Sequence, residues 1–345
     1  MFKQTTIFLL TILYLTASAF AENFVNSVVG TGQTKCYDDE KVIPCPKPGE
    51  PFYGQDANYT INPPMTFAKL DGKGNPLPDD VKEWSMVKDI NTGLIWEGKS
   101  DDGSIHDKVN KYNWQDAQDV FISKLNKEKF GGYSDWRLPT TEELRNINYY
   151  DKCDPSIDKT YFPNTVTILY WCSTEAANSI NSAWGVGFYC GHDSGSVLKW
   201  SSWPVRAVRG IQVQSFDNLI NNGDGTVTDK NTHLIWQQEE AGKMTWKNAL
   251  AYCENLKLAG KDDWRLPTIK ELESLTQLNK FEPALDKKYF PNIGSSYNGS
   301  SYWSSTTAAY DTSYAWQVQF YSGTLSGAKK SDSYYVRAVR GRQGR

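Results

Sequence analysis

Two Trp-Arg-Leu-Pro segments in the chain each carry an arginine close to a glutamate. Arg137 precedes a Glu-Leu pair at Glu143, and Arg265 precedes the same pair at Glu271. Because each segment lies near a predicted helix start, the carboxylate can hold the guanidinium through two parallel hydrogen bonds. A ligand-binding arginine is the alternative. Since both segments share these residues, and a buried unpaired arginine would be costly, we predict two ion pairs that stabilise the fold.

Aromatic side chains offer a second kind of chemistry, because their faces suit the apolar faces of sugar rings. The chain has 13 tryptophans, and most of them recur in both halves within apolar patterns that indicate core packing. The aromatic residues without a counterpart in the other half are the better candidates for contact with a glycan: Trp200, Trp203, Tyr310 and Tyr314.

Patterns for metal binding and catalysis are weak. The three histidines, His106, His192 and His233, form neither a His-Glu-x-x-His pattern nor a tight cluster with cysteine, so no zinc site is predicted. The run at 221–225, Asn-Asn-Gly-Asp-Gly, resembles a calcium loop but has no glutamate at the twelfth position of an EF-hand. A Gly-rich hairpin turn is the preferred interpretation. Serine-rich segments lack a Gly-x-Ser-x-Gly context, so we predict no catalytic residue, cofactor or metal.

A series of motifs recurs in the same order, which indicates two tandem copies of one domain. The matched segments are Leu-Ile-Trp at 94 and 234, Asp-Trp-Arg-Leu-Pro-Thr at 135 and 263, Tyr-Phe-Pro-Asn at 161 and 289, Tyr-Trp at 170 and 302, and Val-Arg-Ala-Val-Arg-Gly at 205 and 336. Copy 1 is predicted over residues 85–211 and copy 2 over 212–345. Residues 22–84 have no matching sequence in copy 2 and are predicted to form an irregular N-terminal extension with a disulfide.

Local patterns place these motifs on helices and strands. Asn113 and Thr245 can each cap a helix whose apolar positions fall on one face. The Thr-x-x-Glu runs that start at Thr140 and Thr268 are capping boxes for a second helix. Apolar residues alternate with glutamines at 316–320, which predicts a strand with one solvent-facing side. Two helices followed by several short strands predict an α+β domain of ~125 residues with a short antiparallel sheet.

The first residues indicate export. Lys3, an apolar run and Ala19-Phe20-Ala21 match a signal peptide over 1–21, and no later segment reaches the ~20 apolar residues of a membrane-spanning helix. Removing Lys3 changes the formal net charge from −3 to −4, which gives no general attraction to nucleic acid. We expect a periplasmic or secreted protein, at the cell surface or beyond it, with no transmembrane segment and no nucleic-acid partner.

Six cysteines in an exported chain favour disulfides over metal or thiol chemistry. Cys36 and Cys45 enclose a short loop that contains proline, and we expect them to pair. Cys172 and Cys190 replace serines of copy 2 and are expected on neighbouring strands, so they form the second predicted bond.

The matched motifs, together with Thr-Gly-Gln at 31–33 and Gly-Gln-Asp at 54–56, resemble the Lcl C-terminal domain family. That family is grouped with C-type-lectin-like folds, so the resemblance implies two tandem C-type-lectin-like domains. Its namesake domain belongs to a collagen-like surface adhesin that binds sulfated glycosaminoglycans, which implies exported binding or adhesion. This chain has no Gly-x-y collagen stalk, and its net charge is acidic.

Many members of that family carry a cysteine between the two arginines of the last strand, able to pair with the residue that corresponds to Cys253. Ala338 takes that place here, which leaves Cys253 without that partner. Cys153 and Cys253 therefore either bond to each other across the two domains or stay reduced and buried.

Taken together, these patterns predict an exported, calcium-independent binding protein that recognises a glycan or another surface polymer. One alternative is a structural envelope or matrix protein that binds other proteins. A second is an enzyme of the sulfatase-activating-oxidase-like fold class, which uses paired cysteines. Copy 2 has a single cysteine, which disfavours a thiol mechanism shared by both copies.

Overall fold

The computed structural model describes residues 28–59, 63–212, 218–293 and 300–341; the predicted signal peptide lies outside these ranges. The architecture is α+β, with short helices and several small sheets whose strands are almost all antiparallel. Within the described ranges, no helix has both the length and the apolar character needed to cross a membrane.

The strands up to the end of copy 1 are β1 Cys36–Tyr37, β2 Val42–Ile43, β3 Phe67–Leu70, β4 Met86–Asp89, β5 Ile95–Glu97, β6 Leu169–Glu175, β7 Ser182–Gly187, β8 Asp193–Leu198 and β9 Val208–Arg209. The helices are α1 Trp114–Asp116, a π-helical turn Ala117–Ile122 that continues it, α2 Ser123–Lys127 and α3 Thr141–Asn146, with 3₁₀ turns at Asp56–Asn58 and Phe130–Gly132.

Copy 2 contains β10 Leu219–Asn221, β11 Thr226–Asp229, β12 Ile235–Gln237, β13 Ala241–Met244, β14 Ser301–Thr307, β15 Tyr314–Gln319, β16 Thr324–Lys329, β17 Tyr334–Val336 and β18 Val339–Arg340. Its helices are α4 Trp246–Asn255 and α5 Ile269–Glu273. Because β11 follows the 221–225 run directly, that run forms a turn between β10 and β11, as predicted.

The sheets repeat from copy to copy. The order β3-β4-β5-β9 in copy 1 matches β10-β11-β12-β18 in copy 2, and β6-β7-β8 matches β14-β15-β16. In copy 2, β13 and β17 extend the second sheet, whereas copy 1 has only an isolated bridge between Tyr112 and Trp203 at that edge. The duplication read from the motifs is therefore visible in the strand order.

Helix starts follow the predicted capping chemistry. The Asn113 side chain accepts a hydrogen bond from the backbone N–H of Asp116, and both capping boxes form at Thr140 and Thr268. Thr245 stands at the cap of α4 but makes no side-chain bond there. These bonds satisfy N–H groups that a helix start leaves without a partner.

Part of the predicted N-terminal extension belongs to copy 1. Strand β3 comes from that segment, pairs with β4 and completes the first sheet. Strand β10 takes the same place beside β11, so the segment before β4 does have a structural counterpart. This equivalence could not be predicted from the sequence because β3 and β10 share no motif. The described residues that precede this part, 28–59, are called the N-terminal arm below.

The side of β15 that carries the glutamines is less exposed to solvent than the alternating pattern predicted. Gln317 is buried, and its side-chain amide donates to the hydroxyl of Ser326 on β16 at 3.1 Å. Gln319 is partly exposed near the end of the strand. A neighbouring strand that offers a hydroxyl thus replaces the water that the period-two pattern implied.

The two copies exchange side chains across their interface. Tyr150, which follows α3, packs in the core of copy 2 with its ring centroid 5.3 Å from that of Trp316. Leu278, which follows α5, packs in the core of copy 1. Each core therefore contains a residue of the other copy, so the copies stabilise one another.

One of the two predicted disulfides is wrong. Cys36 and Cys45 are bonded as expected, but Cys190 bonds Cys153, with their Cα atoms 4.4 Å apart, and not Cys172. The Cys172 side chain points from β6 into the core of copy 1, whereas Cys190 lies in the turn after β7, next to the segment around Cys153. Cys172 and Cys253 are reduced and buried.

Candidate ligand-binding site

Both predicted arginine–glutamate pairs are present. The guanidinium of Arg265 donates to the two carboxylate oxygens of Glu271 at 2.6 and 2.7 Å, and neither side chain is exposed. Arg137 bonds Glu143 at 2.7 and 2.6 Å with a quarter of its side chain exposed. Each glutamate also accepts the N–H of the capping threonine, at 2.9 Å in copy 2 and 2.8 Å in copy 1. These geometries suit a structural role.

The four aromatic candidates lie in two separate places. Trp200 is 66% exposed after β8, and Trp203 is half-buried against the core of copy 1, its backbone bonded to Tyr112 at 3.0 Å. Tyr310 and Tyr314 lie in copy 2 with their ring centroids 5.8 Å apart. The candidates therefore do not form one platform.

Tyr310 fills a recess at the interface of the copies. The hydroxyl end of its side chain lies against Gly327, where an added β-carbon would overlap the hydroxyl oxygen. The imidazole of His192, from copy 1, is tilted against both rings, with its centroid 5.4 Å from that of Tyr310 and 5.0 Å from that of Trp316. Two rings thus occupy the space beside Trp316.

The matching recess in copy 1 is open. Asn178 of copy 1 corresponds to Tyr310 of copy 2, and Thr324 of copy 2 corresponds to His192 of copy 1, each at an offset of 132 residues. Asn178 and Thr324 have smaller side chains than the residues they correspond to. The loop between β6 and β7 in copy 1 is closed by the same backbone hydrogen bond as the loop between β14 and β15 in copy 2. The N–H of Ala176 donates to the carbonyl of Ser182 at 3.0 Å, and the N–H of Ala308 donates to that of Tyr314 at 2.9 Å. A cleft of about 520 Å³ lies beside Trp184 as a result.

The wall of this cleft that copy 2 supplies combines aromatic and polar groups. The rings of Phe281 and Tyr321 meet edge to face with centroids 4.7 Å apart. The hydroxyls of Ser322 and Thr324 are 2.8 Å apart, and that of Ser322 donates to the Gln319 amide oxygen at 3.3 Å. Aromatic surface beside a few oriented amides and hydroxyls is typical of small-molecule sites.

The charges at the cleft are largely balanced. The buried carboxylate of Asp193 accepts from the Arg145 guanidinium and from the N–H of Leu325 at 3.2 Å. Burial raises the pKa of Asp193, and Arg145 offsets this only in part. Burial also lowers the pKa of His192, so this imidazole is neutral at pH 7. Lys280 at the rim lies 3.6 Å from Asp286.

Sequence reasoning missed this cleft because neither copy contains it alone. The available signal was a difference between matched positions, Asn178 against Tyr310, and not a shared motif. Among the residues that the structure describes, no three His, Cys, Asp or Glu side chains come together as a metal site would require.

Comparison with protein families gives one finding. The model of the Lcl C-terminal domain matches the chain twice, at residues 85–209 and 225–340, together more than half of its length. A search among curated proteins returns no match.

Proposed function

The chain belongs to the Lcl C-terminal domain family, and we propose that it is an exported protein that binds a glycan, without calcium, in the cleft between two C-type-lectin-like domains. The observation that carries the proposal is the difference between the two recesses: Tyr310 fills the one in copy 2, whereas Asn178 leaves the one in copy 1 open. The open recess has room for a ring.

A pyranose ring suits this space chemically. Its apolar face can lie against an aromatic ring, which Phe281 and Tyr321 offer, and its hydroxyls can exchange hydrogen bonds with the amide and hydroxyl groups of Gln319 and Thr324. A site built to bond hydroxyls discriminates strongly against ligands that lack them, because its own polar groups are then left unpaired.

The balanced charges favour a neutral glycan. Lys280 is the cation that lines the cleft among the described residues, and Asp286 lies close to it. A strongly sulfated polymer would need several cations, and its binding would weaken steeply as salt rises. We therefore expect binding that changes little with ionic strength.

Export is supported by the two disulfides, because such bonds persist in oxidising compartments. The predicted location is the periplasm or the cell exterior. Separating cells from culture medium and detecting the protein in each fraction tests this part, and recovery from the cytoplasm with reduced cysteines would refute it.

The glycan proposal is tested with a glycan array of neutral and sulfated polymers at several salt concentrations, followed by titration of the best ligand. Asn178→Tyr should fill the recess as Tyr310 does and weaken binding at least tenfold, about 1.4 kcal/mol, while thermal stability is kept. Tyr321→Ala should also weaken binding.

The matched control is Tyr189→Ala. Tyr189 stands 132 positions before Tyr321 and is 57% exposed, so its removal changes a similar side chain outside the cleft and should leave affinity unchanged. The proposal fails if no glycan binds the wild-type protein, or if Asn178→Tyr binds as well as wild type.

A further inference from the structure

The N-terminal arm covers one face of copy 2. The side-chain amide of Gln33 bonds both the N–H and the carbonyl of Thr307, at 2.9 and 2.8 Å. The buried carboxylate of Asp56 accepts from the hydroxyls of Thr306 and Thr31 at 2.6 and 2.8 Å. The arm therefore binds the C-terminal end of β14, beyond the point where β14 pairs with β17, through side chains and does not add a strand to it.

A tryptophan and a lysine complete this covered face. The ring of Phe52, from the arm, lies 6.4 Å from that of Trp246. Lys330 holds its ammonium 4.1 Å from the centre of the same indole and donates to the backbone carbonyl of Asp38 at 2.8 Å. As a result Lys330 is only 1% exposed.

Copy 1 carries the same anchors without an arm. Lys199 lies 4.4 Å from the ring centre of Trp114, and Thr174 accepts the N–H of Thr141 at 3.1 Å, as Thr306 accepts that of Ile269 at 3.0 Å. With no arm carbonyl to bind, Lys199 pairs with Glu175 at 2.6 Å.

Exposure separates the two faces. Thr306 and Thr307 are fully buried, whereas the side chain of Glu175, which corresponds to Thr307, is 60% exposed. Beside it, Ile180 is 85% and Trp200 66% exposed. The backbone bond from Lys199 to Asn181 at 2.9 Å places these two apolar side chains on neighbouring turns. Such a patch commonly marks an interaction site.

Chain connectivity explains why copy 1 is uncovered. The arm leads into β3 of copy 1 and crosses to copy 2, so the reciprocal cover for copy 1 would have to come from the segment that leads into β10. That segment runs from 210 to 218, nine residues, against 32 residues in the arm, 28–59. Nine residues span ~30 Å at most, which leaves no length for a folded-back arm.

We propose that this face of copy 1, formed by Trp114, Thr174, Glu175, Lys199 and the exposed Ile180 and Trp200, binds an extended segment of a partner polypeptide in the way that copy 2 binds the arm. The segment supplies an amide side chain to the backbone of Glu175, a carbonyl to Lys199 and an apolar side chain to Trp114.

The partner is a different chain and not the arm of a second molecule. Thr312 donates to the carbonyl of Glu40 in the arm, but the corresponding residue of copy 1 is Ile180, which has no donor. The copy 1 face thus selects a more apolar segment than residues 31–59 provide.

The test uses the mature full-length protein and a labelled synthetic peptide of residues 31–59, oxidised at Cys36 and Cys45, in which Glu40→Leu makes the peptide a more apolar stand-in for the partner segment. Fluorescence anisotropy should show one saturable site, and Lys199→Glu should weaken binding about tenfold or more, or 1.4 kcal/mol. The control is Lys124→Glu, which makes the same charge change at a lysine 50% exposed on α2 and should alter affinity less than about twofold.

Three results would overturn the proposal. The first is no saturable binding up to about 1 mM peptide. The second is binding that Lys199→Glu leaves unchanged, since the peptide would then occupy copy 2 or another surface. The third is concentration-dependent dimerisation that Lys199→Glu abolishes, which would assign the face to a second copy of this chain.

Discussion

The two arginine–glutamate pairs allow a comparison within one molecule, because they share chemistry and differ in burial. Replacing Glu271 by Gln removes the charge that faces Arg265, which has no exposed side-chain surface. Breaking a fully buried pair by removing one partner costs about 3 kcal/mol or more. Glu143→Gln should cost only about 1 kcal/mol, because Arg137 is 25% exposed and water can solvate it. Glutamine preserves the capping box in both variants, so the difference of about 2 kcal/mol reports burial.

Urea unfolding with the disulfides intact measures this difference, followed by both tryptophan fluorescence and near-ultraviolet circular dichroism so that agreement of the two probes supports a single transition. A double variant with Arg265→Met and Glu271→Leu should recover much of the loss, since well-packed apolar residues can replace a buried ion pair. Equal losses in the two single variants, or a larger loss for Glu143→Gln, would refute the argument that burial sets the cost.

Three further predictions concern the arm, the thiols and the interface. Burial raises the pKa of Asp56 from 3.8 to about 6, so the stability that the protonated carboxyl contributes is complete below about pH 4 and is lost as pH rises through about 6. The loss amounts to roughly 3 kcal/mol in total. Asp56→Asn should flatten this decline in unfolding free energy between pH 4 and 7, and an unchanged decline would contradict the prediction. A thiol reagent should detect two thiols in the denatured, unreduced chain, at Cys172 and Cys253. The same reagent should react slowly with the native protein, because burial raises the pKa of both thiols. Rapid reaction with the native protein would instead favour thiol chemistry. Leu278→Ala should cost about 2–5 kcal/mol, as deletions of buried leucine side chains do, and should lower the protection of core amides against hydrogen exchange in copy 1 as well as in copy 2. Loss of protection confined to copy 2 would show that the exchange of side chains does not couple the copies.

Features set by residues close in sequence were predictable. The capping boxes and the pairing of Arg137 with Glu143 depend on positions within one turn or two, so spacing alone brings the groups together. The pairing of Cys153 with Cys190 was not, because it depends on how the turn after β7 meets a segment 37 residues earlier. The serine that copy 2 has at the position of Cys172 indicated that Cys172 lies on a strand, but it did not indicate to which side of the sheet the Cys172 side chain points.

The assignment of β3 shows a related limit. Strands that pair through backbone hydrogen bonds need no shared side chains, so β3 and β10 occupy equivalent places without a common motif. The cleft and the contact of the arm with copy 2 were missed for a different reason, since both arise between segments that are distant in sequence. No pattern within one copy of ~125 residues records which residue of the other copy it will meet.

The duplication itself explains where specific function can arise. A residue such as Tyr150 or Leu278 that enters the core of the other copy is constrained by two cores, and changes there cost stability in both. Positions at the rim of the interface are free of that constraint, so the exchange of Asn178 for Tyr310 can open one recess and close the other while the backbone stays the same. The segments that lead into β3 and β10 can likewise differ in length without affecting either core. The longer one covers a face of copy 2, and the shorter one leaves the corresponding face of copy 1 exposed. Two unequal surfaces can therefore arise from one fold without any change to its core, and replacing Tyr310 by Asn should open space beside Trp316 while the chain still folds. A Tyr310→Asn variant that unfolded would show instead that the ring is needed for packing at the interface.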